Sequence, residues 1–312
     1  MSELLRAVFV APFADMAGNM PFLLEVLIGG IAAGLMYSLV ALGFVLIFKA
    51  SGVFNFAQGV MVLFSALTLV GLMERGVPVP VALALTVLAM IALAIAIERV
   101  VLRPLVNQEP IILFMATIGL NFFLEGFGEM LWGANVKRLD LGIPDTSFKV
   151  AGILVNRLEL AAAATAAVLV TVLAIFFQKT RIGRALRAVA DDHEAALSIG
   201  ISLKTIWVVV WSVSGLVALA AGIMWGAKSG VQFSLSLIAL KALPVLILGG
   251  FTSVPGAIVG GILIGVGEKL AEVYWGPLVG GAIENWFAYV MALAFLLVRP
   301  QGLFGEKIIE RV

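Results

Sequence analysis

Asn121 and Glu125 stand four residues apart inside an apolar run, and Glu129 continues the same helical face. Lys241 interrupts a second apolar run, and Asn55 and Gln58 open a third. Strongly polar groups at bilayer depth cost roughly 2.5–3.5 kcal/mol at a helix centre on insertion scales, so they tend to face a cavity or a partner. Asn55, Gln58, Asn121, Glu125 and Lys241 are therefore candidates for the border of a translocation path, with Lys241 placed to pair with one of the acids. The alternative is an interhelical hydrogen bond or ion pair that only locks a bundle. Glu25, Glu268, Lys269, Glu284 and Asn285 are expected nearer the interfaces, where long side chains snorkel to water.

Other chemistries lack their residues. The chain has no cysteine and one histidine, His193, which excludes thiolate catalysis, disulfides and Cys- or His-rich metal centres. No metal site or cofactor is expected. No GxxxxGK[ST] loop is present to cradle a nucleotide. An intramembrane enzyme would need a nucleophile–base pair within the bundle, and none is legible. The net charge of +1 argues against nucleic acid as a partner.

The elements that must hold these residues are membrane helices. Hydrophobic residues make up 62% of the chain and charged ones 12%, about half the charge a soluble domain carries, so lipid is the natural solvent. A spanning helix needs about 20 mostly apolar residues. Runs of that kind lie at 26–48, 54–73, 80–98, 110–131, 158–178, 205–226, 254–273 and 281–298. A shorter run, 237–250, holds Lys241 and Pro244 and ends in Gly249-Gly250, so it either crosses, breaks or re-enters. The expected fold is an all-α polytopic bundle of eight or nine transmembrane segments, residues 1–312 forming one membrane domain. Leu4 to Phe13 reads as a short helix on the membrane surface.

The densest basic cluster, Lys179, Arg181, Arg184, Arg187 and Lys204, belongs in the cytoplasm. Alternation then brings Lys49, Arg99 and Arg103 to that side, although 132–157, on the other side, carries four basic residues of its own. Glycines four apart, Gly30/Gly34, Gly256/Gly260 and Gly261/Gly265, predict close helix contacts within the chain or between subunits. Gly249, Gly250, Ser253, Pro255 and Gly256 suit a tight reversal, a gate hinge or a contact for a partner. Residues 178–204 are patterned like an amphipathic helix, with Leu186, Val189, Ala190, His193, Ala196 and Leu197 at three- and four-residue spacing. Such an element either docks into a partner's groove or only links two spans.

Residues 187–201, RAVADDHEAALSIGI, resemble the cytoplasmic coupling segment of permeases of the branched-chain amino-acid (LivH-like) ABC importer family. Four further stretches resemble that family in register: 53–59 (VFNFAQG, with Gln58 for the usual histidine), 98–104 (ERVVLRP), 248–257 (LGGFTSVPGA) and 299–305 (RPQGLFG). The resemblance runs from about residue 25 to 306. It implies a permease subunit in the inner membrane that docks a cytoplasmic ABC ATPase through Arg184, Arg187, Asp191, Asp192, His193, Glu194 and Gly200. It further implies an extracytoplasmic solute-binding protein and a second permease chain, either a homologue or another copy. Cargoes of such permeases include branched-chain amino acids, urea, short amides and aromatic acids. A self-sufficient secondary transporter or channel is the competing expectation.

Overall fold

The computed structural model describes residues 2–105, 108–191 and 193–305; for 2–4, 191 and 193–195 it describes the backbone only. The chain is almost wholly helical. In order, the helices are α1 (Ser2–Phe9), α2 (Ala11–Gly18), α3 (Met20–Ser51), α4 (Gln58–Glu74), α5 (Val79–Ala96), α6 (Pro110–Trp132), α7 (Arg157–Lys179), α8 (Arg181–Asp191), α9 (His193–Ser198), α10 (Leu203–Ser229), α11 (Ile238–Gly249), α12 (Val254–Tyr274), α13 (Gly276–Val279) and α14 (Phe287–Val298). A two-stranded hairpin, β1 (Ser147–Val150) and β2 (Ile153–Asn156), precedes α7. Its turn places Ala151 and Gly152 both at positive φ, the geometry that matches the twist of paired strands.

Among the described residues, six helices are long and apolar enough to cross a membrane, and the segments Gln58–Glu74, Phe233–Gly249 and Phe287–Val298 are shorter apolar ones. The long helices share two ends. One end gathers the 180–202 connection, with Lys49 Nζ donating to Thr252 O at 3.4 Å and Trp207 Nε1 to Ala50 O at 3.1 Å. The opposite end gathers the hairpin and the Glu74–Lys137 and Glu159–Lys228 ion pairs. This is a multi-pass helical membrane protein.

Pro244 does not break its segment. A 3-10 turn, Phe233–Leu237, leads into α11, which continues through Pro244 to Gly249. At about 2.0 Å and 1.5 Å rise per residue the two pieces add up to about 28 Å laid end to end, close to the hydrocarbon thickness of about 30 Å. The last span starts later than its apolar run suggests, because Gly280, Gly281 and Ala282 all take positive φ. Glu272 holds this turn by accepting from the Ala282 and Glu284 amides at 3.0 Å each. The N-terminal run forms two helices, broken before Pro12, and they pack over the start of α13. Trp275 Nε1 donates to Val8 O at 3.0 Å, and Phe13 meets the Trp275 ring edge-on.

The centre of the bundle is α3, buried from Met36 to Ile47 without interruption. It packs on α12, α10, α7 and α11. The antiparallel α3–α12 contact runs over glycines. A Cβ built on Gly30 would lie 2.7 Å from Val266 Cα, and one on Gly34 would lie 2.5 Å from Gly261 O. Gly260 crosses α11 in the same way, 2.7 Å from Val245 O. The four-residue glycine spacing thus serves packing within the chain, where backbones approach because no side chain separates them.

Candidate functional site

The 180–202 connection is built as a rigid element on the bundle. It forms two helices, α8 and α9, rather than the single short helix that the spacing suggests. Thr180 starts α8 by accepting from the Gly183 amide at 3.1 Å. Arg187 then turns back and donates to Phe177 O at 2.6 Å and Gln178 O at 3.3 Å, satisfying carbonyls that the end of α7 leaves open. A cation suits that negative end of the helix dipole. Gly183 lies against the Phe177 backbone with no room for a side chain. Leu186, Val189 and Ala196 are buried, and α8 packs on α3, α7 and α10. Arg181 and Arg184 stay exposed at the surface. Gly200 takes φ +84 and turns the chain into α10, whose start Ser202 caps. Asp192 and the side chains of Asp191, His193 and Glu194 lie outside the described residues.

Beside this element, Gly249 to Gly256 forms a tight reversal. Ser253 accepts from the Gly256 amide at 3.0 Å and Pro255 occupies the first turn of α12, where its missing N–H costs nothing. Gly249 and Gly256 touch backbone to backbone. The chain's closing motif lies over them: Leu303 N donates to Leu248 O at 2.8 Å and Phe304 N to Gly249 O at 3.2 Å. Gly250 and Gly302, both at positive φ, interlock there. A cleft of about 190 Å³ joins the three pieces, lined by Lys49, Phe177, Arg187, Thr252, Pro255 and Phe304 among others. Motifs that stand far apart in sequence therefore share one end of the molecule. The 98–104 motif is a self-contained clamp, in which Arg103 grips the buried Glu98 carboxylate at 2.7–3.1 Å.

The five polar candidates fall into three separate places. Asn55 and Gln58 are fully buried. Asn55 Oδ1 accepts from the Ala57 amide at 3.1 Å, and Gln58 Oε1 accepts from Ser214 Oγ at 2.8 Å and Asn55 Nδ2 at 3.4 Å. Ser214 also reaches Gly43 O at 3.2 Å, so the group ties α3, α4 and α10 together. Asn121 and Glu125 are half-buried on α6, which packs on α4 through Leu120, Leu124 and Gly128, and neither makes a hydrogen bond or ion pair among the described residues.

Lys241 pairs with neither. Its partner is Glu268, at 2.9 Å, and Tyr37 Oη also donates to that carboxylate at 3.5 Å. Glu268 is therefore no interfacial snorkeller: it is 3% exposed, inside the bundle. The missed signal was periodicity, since Gly261, Gly265 and Glu268 share the helix face that packs on α3.

A helical bundle with tightly crossing glycine faces, charged groups inside, and a pair of short helices packed on one end defines a polytopic membrane protein. Residues 26–299 match the family described as "Branched-chain amino acid transport system / permease component". The chain belongs to that family and is a transmembrane permease subunit of an ABC importer. It is 27% identical to the high-affinity branched-chain amino acid transport system permease protein LivH of Salmonella typhimurium, over 93% of this chain and 98% of that one. It is also 27% identical to permease protein BraD of Pseudomonas aeruginosa, with the same coverage. A weaker likeness, 26% over 45% of this chain and 36% of the other, joins it to the autoinducer 2 import system permease protein LsrC of Shigella flexneri. Among solved structures, PsaBC from Streptococcus pneumoniae in complex with Fab shares the fold, with a TM-score of 0.51 at 15% identity, over 93% of this chain and 95% of that one.

Proposed function

We propose that this permease imports branched-chain amino acids or a chemically related small solute across the inner membrane, driven by a separate cytoplasmic ATPase and fed by an extracytoplasmic binding protein. Residues 1–312 act as one permease domain with 178–204 as its cytoplasmic coupling loop. The carrying observation is the double character of α8. Arg181 and Arg184 are exposed, while Leu186, Val189 and the Arg187 bonds to the end of α7 tie the same helix to three spans. A push on that surface moves α3, α7 and α10 together, because packed helices shift as bodies rather than deform. Arg184, Arg187, Asp191, Asp192, His193, Glu194 and Gly200 are the proposed docking residues. Gly249, Gly250, Ser253, Pro255 and Gly256 form the turn next to them and follow the same movement.

Asn121 and Glu125 support a path shared with a second permease chain. A half-buried carboxylate with no partner among the described residues is costly in lipid, so their face of α6 is suited to another subunit or to water. Asn55 and Gln58 join the path only when α3, α4 and α10 separate. The test is reconstitution of the copurified complex in proteoliposomes. ATP-dependent uptake that requires the ATPase and the binding protein is expected. Gradient-driven uptake by this chain alone would instead make it a secondary transporter.

A further inference from the structure

Where α3 and α7 finish and α12 begins, beside α8, the cleft of about 190 Å³ carries two cations, Lys49 and Arg187. We propose that it holds the phosphate of an anionic phospholipid from the leaflet on that side, with the lipid's tails lying against the outer faces of α7 and α12. This goes beyond the importer reading and does not depend on it.

The charges here do not balance. Among the described residues no aspartate or glutamate lines the cleft, and neither Lys49 nor Arg187 has an ion pair. Lys49 stands in the last turn of α3, and Arg187 bonds the carbonyls that close α7. Each of those helix ends brings about half a negative charge, and the start of α12 about half a positive one. More than one unit of positive charge is therefore left over. Donors are left over as well. Lys49 gives one of its three N–H groups to Thr252 O over a long 3.4 Å, and Arg187 gives two of its five. The Thr252 hydroxyl makes no hydrogen bond among the described residues, and Ser253 Oγ only accepts, from the Gly256 amide. All four side chains are half-buried, where unmatched charge is less well solvated than in open water.

A phosphate matches that set, with several acceptor oxygens, a negative charge and no donor of its own. Position says where it comes from. The cleft lies at the ends of membrane spans, the depth of lipid headgroups, and Leu46, Ala174 and Val254 give it an apolar inner wall. α7 and α12 touch beside it. From there toward mid-membrane, Val168, Val172 and Ile175 of α7 and Val259 and Leu263 of α12 are exposed, a surface for acyl chains. Basic pockets between spans on the cytoplasmic side take anionic headgroups by this combination. A phosphocholine headgroup brings a cation of its own, which Lys49 and Arg187 oppose. The cleft is also too small for a partner's helix, about 10 Å across. Arg181 and Arg184, exposed on α8 outside the cleft, stay available to a protein partner.

The test is native mass spectrometry of the full chain in detergent, titrated with dioleoyl phosphatidylglycerol or dioleoyl phosphatidylcholine. Wild type is expected to retain one phosphatidylglycerol in preference to phosphatidylcholine. Lys49→Met should weaken that binding at least about fivefold, the worth of one cation at an anionic lipid surface, and Lys49→Arg should keep it. Lys179→Met removes the same charge from an exposed site outside the cleft and should bind as wild type does. Thermal unfolding should show phosphatidylglycerol stabilising wild type and Lys179→Met but not Lys49→Met. A photoreactive phosphatidylglycerol on the wild-type chain maps the site without any variant, with label expected around Lys49, Arg187 or Thr252. Equal retention of the two lipids, undiminished binding by Lys49→Met, equal loss in Lys179→Met, or label elsewhere would overturn the proposal. So would displacement of the lipid by millimolar inorganic phosphate, which marks a site for a free anion, or by the copurified ATPase, which marks a site for a partner's carboxylate.

Discussion

Gly34 of α3 and Gly261 of α12 face each other so closely that a methyl group on either would collide with the other's carbonyl oxygen, 2.5 Å and 2.6 Å away. Gly29, five residues earlier on α3, has nothing within 4 Å of its own added methyl. Gly34→Ala should therefore cost about 1–3 kcal/mol through overpacking, whereas Gly29→Ala should be neutral or slightly stabilising. Thermal unfolding in detergent compares them, and equal melting temperatures would contradict the crossing.

Gly43 and Gln58 make a second test of close fit. A Cβ at position 43 would overlap the Gln58 side-chain amide. Gly43→Ala should lower stability, and adding Gln58→Ala should recover part of the loss by vacating that space. A double-mutant cycle measures the coupling; strictly additive effects would show that the two residues do not compete.

Arg187 is expected to matter for coupling more than for folding. Its two bonds to Phe177 O and Gln178 O lie partly at the surface, so Arg187→Ala should cost about 1 kcal/mol of stability. Transport per ATP hydrolysed should fall several-fold, because α8 no longer grips the end of α7. Arg187→Lys, a point charge without the planar fork, should restore little. An unchanged uptake-to-hydrolysis ratio would refute this role.

Glu98 and Arg103 give the clearest charge experiment. Glu98 is 1% exposed and Arg103 40%. Arg103→Met leaves a sealed carboxylate alone and should cost about 2–4 kcal/mol, near the lower range for breaking buried pairs because one partner meets solvent. Glu98→Gln/Arg103→Met should regain most of it. Chemical denaturation of the three variants checks the order; a double variant no better than the single would rule out the pairing.

Much of the fold was legible from local rules. Apolar runs of about 20 residues mark spans, because the bilayer leaves the backbone few alternatives to a helix. Glycines four apart marked α3 and α12 as closely packing helices, since spacing fixes a face. Boundaries were less legible where backbone conformation intervened: the run 281–298 was expected to start at 281, yet Gly281 and Ala282 take positive φ and postpone α14 to Phe287. The continuous α11 was ambiguous for a similar reason, because a 3-10 turn supplies length that composition does not reveal.

The sequence by itself determined that this chain lives in a membrane, where its long apolar runs lie, and which five motifs tie it to its family. Only the tertiary structure decided which charges meet. Lys241 was free, on paper, to pair with Glu125, and Glu268 was expected near the interface; packing of α11 and α12 around α3 gave Lys241 to Glu268 and left Glu125 with no ion pair among the described residues. Helical periodicity states which side of a helix a residue occupies, but not which helix that side will face. That choice is made by the glycine crossings, and with it the partner of Lys241.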